Sequence, residues 1–228
     1  MFNLENYKLK SSSFYEVLNA LEKKIIKART TRTEYKRGQV IFREGSFSKG
    51  IYIIRKGKVK IYKVNPNGLE TIVYIYKKGE YFGFRPLLAD EPHPTSASAM
   101  DNVVVTFIPK DVILRLFNES KNLSKHLALN LASEFSVWIN KLTVFTRYSV
   151  RDRTALSLLI LNELYRKKNE RKVSISINRD DFASFVGTAK ESLVRNLRHF
   201  KDERIISTQG TKIVINKPEQ LHTYSGIG

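Results

Sequence analysis

The chain has 228 residues, enough for one or two domains with cores of their own. Its 40 Lys and Arg against 22 Asp and Glu leave a net charge of +18, a field that favours polyanions, either nucleic acid or an anionic membrane. Zero cysteines exclude a disulfide scaffold, a thiolate zinc site and a cysteine-ligated iron–sulfur cluster. No run of 18 apolar residues exists, so no membrane partner is expected through a spanning helix. Met1–Asn6 lacks the basic-then-apolar order of a secretory signal, and the expected location is the cytoplasm. Phosphate-binding GxxxxGK loops, HExxH helices and GxSxG elbows are absent. The carboxylate pairs Asp180-Asp181 and Asp202-Glu203 read as solvated helix surface, so neither an enzyme, a catalytic residue nor a metal site is expected.

Residues 1–10 read as loosely held. From Ser11 to about Ala28, Phe14, Val17, Leu18, Leu21, Ile25 and Ile26 recur at helical spacing, with Ser11–Ser13 offering a cap. From Arg37 to Pro109 the texture changes to short β runs: Gln39–Arg43, Gly50–Arg55, Lys58–Lys63, Glu70–Tyr76, Glu80–Phe82 and Val103–Ile108. Gly45, Gly57, Asn65-Pro66-Asn67-Gly68, Gly79 and Gly83 punctuate them, the pattern of a small barrel or jelly-roll.

Asp111–Asn118 reads as a short helix, and the stretch from about Asn122 to Arg147 as a long one. Leu127, Leu131, Phe135, Trp138, Leu142 and Phe145 are spaced 4, 4, 3, 4, 3, close to a heptad seam. Lys125, Ser133, Glu134 and Lys141 lie off that seam. So apolar a stripe implies a parallel homodimer; packing on the chain's own β domain is the other reading, and part of the stripe can do each. Ser149 can cap a helix from Val150 that carries Ala155, Leu158, Leu159 and Leu161. Arg166–Lys172 is a charged turn, and Val173–Ile177 a strand.

The run from Asn178 is the most specific part of the chain. Phe182, Phe185 and Val186, then Leu193, Leu197 and Phe200, each mark one buried face of a helix, and Gly187-Thr188-Ala189 separates them. Asn178 can cap the first helix. Two short helices about a glycine-containing turn form a helix-turn-helix. Lys190, Glu191, Ser192 and Arg195 share the outward face of the second helix, where such side chains can meet base edges in a major groove. Arg204–Ser207 and Lys212–Ile215 around Gly210 read as a hairpin, or wing.

Arg179 to Ile215 resembles the winged helix-turn-helix of the Crp/Fnr family of transcription regulators, and the likeness extends upstream over about Tyr35 to Ile160. It implies an α+β chain in three parts: residues 1–120, a β-roll (double-stranded jelly-roll) sensor domain with its N-terminal helix; 121–148, a long dimerisation helix and hinge; and 149–228, a winged helix-turn-helix binding double-stranded DNA. In the family, the positions matching Lys190, Glu191 and Arg195 touch base edges, and those matching Arg179 and Thr188 lie near phosphates. The wing around Gly210 rests on the backbone. RNA polymerase is the further partner the resemblance implies. This chain has Lys190 where Arg or Val is frequent, and Ala189 where a hydroxyl residue is, so the operator cannot be copied across.

The sensor departs further. In the cyclic-AMP-binding branch a Glu and an Arg after the glycine hold ribose and cyclic phosphate. Here those positions are Phe84 and Pro94, and only Thr95, with Ser96, keeps the hydroxyl. A buried phosphate needs a charged partner, and Pro offers none. The expectation is a different small-molecule effector, or none. An apolar site around Phe82, Gly83, Phe84, Arg85, Leu87, Thr95, Ser96 and Trp138 and a filled core are equally compatible with these residues. Haem would need His93 or His126, both read as ordinary polar surface. Two rivals remain open: a small-molecule-binding β-barrel protein whose C-terminal domain makes protein contacts, and a haem-based gas-sensing regulator.

Overall fold

Left-handed glycine turns and β-branched runs shape the first half of the chain. The computed structural model describes residues 4–9, 14–167, 170 and 172–225. After a single 3-10 turn at Leu4–Tyr7 come α1 (Ala20–Arg29), β1 (Thr31–Tyr35), β2 (Val40–Phe42), β3 (Gly50–Lys56), β4 (Lys58–Val64), β5 (Glu70–Lys77) and β6 (Tyr81–Phe82). Then follow α2 (Phe84–Ala89), β7 (Ser96–Ala99), β8 (Val103–Pro109), α3 (Lys110–Glu119) and α4 (Lys121–Arg147). The remainder is α5 (Val150–Tyr165), β9 (Ser174–Ser176), α6 (Arg179–Val186), α7 (Lys190–Asp202), β10 (Ile206–Gln209), β11 (Lys212–Ile215) and α8 (Pro218–Tyr224).

Two units result, Leu9–Phe135 and Met1–Lys8 with Ser136–Gly228, and the division falls within α4. In the first unit two four-stranded antiparallel sheets, β1-β8-β3-β6 and β2-β7-β4-β5, form the β-roll. Its core joins Ile51, Ile53 and Ile108 of the sheets to Ile113 and Leu116 of α3 and to Leu123 and Leu127 of α4. In the second, α6 and α7 stand beside a three-stranded sheet, β10-β11-β9.

Some elements differ from the sequence reading. α1 starts at Ala20, not Ser11, because Asn19 and Glu22 close a reciprocal cap: the Glu22 N–H donates to Asn19 Oδ1 at 2.9 Å and the Asn19 N–H to Glu22 Oε2 at 2.8 Å. The proposed cap Ser11–Ser13 lies outside the described residues. Phe14 and Leu18 are core residues without being helical. Within residues 1–10, the described Leu4–Leu9 are held in place: Tyr7 is buried beside Val144 and Leu156, and Asn140 Nδ2 donates to the Asn6 carbonyl at 3.0 Å. Ser96–Ala99 lacks β-branched side chains yet forms β7, fully buried and paired with β2 and β4.

α4 buries a different stripe from the one its apolar residues suggest. The inward positions are Leu123, Leu127, Asn130, Glu134, Val137 and Val144, with Lys141 partly buried in the same row. Leu131, Phe135, Ile139 and Leu142 face outward, 38%, 65%, 46% and 58% exposed. Leu127, assigned above to a dimer seam, is a correction: it is completely enclosed in its own unit's core and unreachable by a partner.

Leu127→Ala is therefore expected to cost about 2–5 kcal/mol in urea unfolding, as a buried Leu truncation does, and Leu129→Ala, at a side chain 62% exposed on the same helix, less than about 1 kcal/mol. Equal losses at the two sites would contradict this assignment of faces.

Candidate nucleic-acid interface and sensor core

Local caps and turns build the helix-turn-helix. The Asp181 N–H donates to Asn178 Oδ1 at 2.7 Å and starts α6. Gly187 ends it at φ 70°, and the N–H groups of Gly187 and Thr188 both donate to the Ala183 carbonyl. α7 then buries Leu193, Leu197 and Phe200. This leaves Lys190, Glu191 and Arg195 exposed on the other side and Ser192 partly so. Lys190 Nζ lies 2.8 Å from Asp180 on α6. Arg179 is half-buried, and its Nη2 donates to the Gly210 carbonyl at 3.2 Å, tying α6 to the wing tip. The wing pairs Ile206 with Ile215 through Gln209 with Lys212. Arg151, Ser192, Arg195 and Asn196, with Tyr224 of α8, line an open cleft of about 730 Å³ at the start of α5.

The end of α4 is fastened to the helix-turn-helix. The Arg153 guanidinium donates to the carbonyls of Phe145 and Gly187, each at 3.1 Å. A Cβ on Gly187 would come within 2.5 Å of the Phe145 ring, so this position needs glycine both for its backbone angle and for space. Phe145 thus packs on the turn of its own chain and stays partly exposed. Lys141 Nζ stands 4.5 Å from the centroid of the Phe185 ring, and burial pulls its ammonium down to about 7.

The sensor core holds groups that sequence reading placed elsewhere. The Tyr76 hydroxyl donates to Glu134 Oε1 at 2.9 Å, and Asn130 Nδ2 donates to the Tyr81 hydroxyl oxygen at 2.6 Å. Polar links therefore join α4 to β5 and β6. Burial raises the Glu134 carboxyl to about 7, against the opposing pull of its Tyr76 hydrogen bond and of the Arg85 charge. Burial raises the Glu80 carboxyl to about 7 as well, although the Lys77 N–H donates to it at 2.8 Å. Glu134 and Lys141, read as lying off the seam, belong to the inward row instead. The missed signal is 123-127-130-134-137-141-144, a 4, 3, 4, 3, 4, 3 spacing obscured because three of its seven members are polar.

The nominated effector residues take up packing positions. Phe84 and Leu87 are sealed in the core cluster, and Phe82 stacks on Tyr52 with centroids 5.2 Å apart. Gly83 caps α2 at φ 88° and its carbonyl accepts from the Ser48 hydroxyl. Ser96 Oγ accepts from the Glu44 N–H at 2.9 Å. Arg85 and Thr95 are partly buried, and Trp138 is half-buried on the second unit. His93 is not surface: it stacks on Phe42 at 3.7 Å, and burial lowers it to about 4, so it is neutral at pH 7. His126 is buried too. Among the described residues no group of three or more His, Cys, Asp or Glu could hold a metal ion, and no helix is long and apolar enough to cross a membrane.

A β-roll followed by a winged helix-turn-helix with a cationic outward face defines a DNA-binding regulator with an effector-sensing domain. Family comparison agrees: residues 32–120 match the cyclic nucleotide-binding domain and residues 152–224 the Crp-like helix-turn-helix domain. The chain belongs to the Crp/Fnr family of transcriptional regulators. It is 26% identical over 192 residues to an anaerobic regulatory protein of Haemophilus influenzae, covering 83% of this chain and 74% of the relative. It is 25% identical over 192 residues to the fumarate and nitrate reduction regulatory protein of Yersinia pestis, covering 83% and 76%. Its fold is similar to that of FixK2 from Bradyrhizobium japonicum, with TM-score 0.79 at 19% identity over 87% of this chain and 98% of the other.

Two outcomes follow from these contacts. Gly187→Ala should lower stability by at least about 1 kcal/mol in thermal unfolding, the cost of a Cβ in the left-handed region before any clash is counted; an unchanged Tm would contradict the packing. The raised Glu134 and Glu80 carboxyls stabilise the fold when protonated, so that contribution is complete below about pH 4.5 and is lost as pH rises through about 7. One such shift is worth up to about 3 kcal/mol. Urea unfolding at pH 5 and pH 8 should show Glu134→Gln losing less stability over that rise than the unsubstituted protein; equal pH dependence would refute the assignment.

Proposed function

We propose that the protein is a homodimeric transcription regulator that reads a near-palindromic DNA site with α7. The observation that carries this reading is the outward face of α7, where Lys190, Glu191 and Arg195 are exposed opposite buried Leu193, Leu197 and Phe200. Two such helices related by a twofold axis enter major grooves one turn apart, about 34 Å. Arg195 and Lys190 donate to guanine, and Glu191 accepts from cytosine. Lys190 must leave Asp180 to do so. A surface ion pair is worth about 0–1 kcal/mol and a good base contact about 1–3 kcal/mol, so the exchange is favourable. Phosphate binding falls to Thr188, to the Arg179-braced wing at Gly210, and to Arg151 and Ser192 in the cleft.

The dimer uses the outer stripe of α4, Leu131, Phe135, Ile139 and Leu142, an apolar face too continuous to be left to water. RNA polymerase is the further partner expected of such a regulator. DNA binding does not require cyclic AMP: Phe84 is core, Pro94 offers no charge, and Tyr76–Glu134 and Tyr81–Asn130 already link sheet to helix. The effector is a different small molecule, or the sensor core acts without one.

Selection of genomic DNA fragments by purified protein should return a near-palindromic motif. Arg195→Ala should erase the sequence preference and keep salt-sensitive nonspecific binding. No selected motif, or the same motif from the variant, would refute base reading and favour a C-terminal domain built for protein contacts. Isothermal titration with cyclic AMP and cyclic GMP should show no micromolar binding; such binding would overturn the sensor reading.

A further inference from the structure

The joint between the end of α4 and the helix-turn-helix holds two basic side chains and no acid. Phe145, Leu156, Phe185 and Val186 wall a narrow cavity of about 20 Å³ that Lys141 and Arg153 share. The other polar residues on it are Tyr7 and Ser157, and no carboxylate is among the described lining residues. All of them lie in the unit formed by Met1–Lys8 and Ser136–Gly228. The Arg153 guanidinium gives Nη1 to the Phe145 carbonyl and Nη2 to the Gly187 carbonyl. Its Nε is buried as well, and among the described residues no acceptor meets that N–H. A buried cationic donor without an acceptor is costly, and the guanidinium cannot shed its proton to escape that cost.

Lys141 has the reactivity to supply an acceptor. It is partly buried, with Nζ 4.5 Å from the centroid of the Phe185 ring. The ring face favours an ammonium, but burial outweighs it and brings the group down to about 7. At about pH 7.5 the larger share of Lys141 is the neutral amine. An ordinary lysine near 10.4 is almost wholly charged there, a difference of roughly several hundredfold in free amine. The ionisable groups that face Lys141 across the cavity are Arg153 of α5 and Tyr7 of the N-terminal turn. A cavity of this size takes a guest little larger than water, which excludes bulky acyl donors. Carbon dioxide is that small, and its adduct with an amine is an anion. The amine lone pair attacks the carbon, an N–C bond forms, one C–O π pair passes to oxygen, and nitrogen releases one proton to solvent. The balance is R–NH2 + CO2 → R–NH–COO− + H+, with no change of oxidation state.

We propose that Lys141 is a site of reversible carbamylation by carbon dioxide, its carbamate oxygen accepting the Nε–H of Arg153. The modification puts an anion beside a guanidinium that lacks one and forms a charge-assisted bond. Arg153 keeps its bonds to Phe145 and Gly187, so the joint before α7 tightens as carbon dioxide rises. That consequence rests on DNA reading by α7; the modification does not. Carbon-13 NMR of the full-length protein in labelled bicarbonate near pH 7.5 should show a carbamate resonance. It is lost in K141M, which fills the space without an amine, and kept in K125M, at an exposed position of the same helix. An α-amino group, near 7.7–8.0, also reacts, so only the signal that K141M removes counts. Alkylation of the carbamate with an oxonium salt, followed by peptide mass spectrometry, places it on Lys141 of the unsubstituted protein whether or not the variant folds. No resonance, equal resonances in the unsubstituted protein and K141M, or adducts on other residues alone overturn the proposal. At fixed pH and ionic strength, carbon dioxide should tighten binding of a selected duplex about tenfold, the weight of one hydrogen bond to a charged group, and leave K141M unchanged. Unchanged affinity despite the carbamate overturns the regulatory step. Failure of any sequence selection would instead indict α7, and the carbon-13 signal still decides the modification.

Discussion

One helix has to satisfy two environments, and most of this molecule follows from how α4 divides its surface. Its inner row carries Asn130 and Glu134 against tyrosines of the sheet, and Lys141 against Phe185. Its outer row carries Leu131, Phe135, Ile139 and Leu142 in the open. An inner row of leucines alone would slide or rotate at little cost. A buried carboxylate and amide cannot, because each displaced partner leaves an unsatisfied polar group worth about 1–3 kcal/mol. The polar inner row therefore fixes which face of α4 is presented outward.

At its far end α4 meets the helix-turn-helix through a guanidinium that bonds backbone carbonyls and through an aromatic ring. Arg153 bonds the carbonyl of Phe145 and that of Gly187, so the last turn of α4 and the turn of the helix-turn-helix share one guanidinium. The fork geometry of Arg suits two acceptors; a Lys would hold only one firmly. Phe145 on Gly187 adds the steric half of the joint. Within this unit, a change in the end of α4 is thus a change at the turn that sets α7.

The sequence was most readable where burial and polarity agree. The helix-turn-helix shows a polar cap at Asn178, apolar residues at helical spacing and a glycine at the only position that must be left-handed. Its outward residues are those that remained once Leu193, Leu197 and Phe200 were assigned inward. α4 is illegible from its apolar residues because there burial and polarity disagree. Leu127 and Glu134 point the same way, and no periodicity of apolar residues can show that a glutamate is inside. Ser96–Ala99 stayed hidden because its strand character comes from β2 and β4, not from its own residues. The sensor site was legible only negatively: Phe84 and Pro94 reveal the missing charges, whereas the Tyr76–Glu134 link needs residues 58 positions apart to meet.

The central claim is that two copies of α7, related by a twofold axis, lie against bases in adjacent turns of one duplex. Hydroxyl-radical footprinting of the full-length protein on a selected duplex tests it most directly. The account predicts two protected patches on each strand, symmetric about the centre of the site and one helical turn apart, about 10 base pairs. A single asymmetric patch, or protection with no fixed centre, would contradict it.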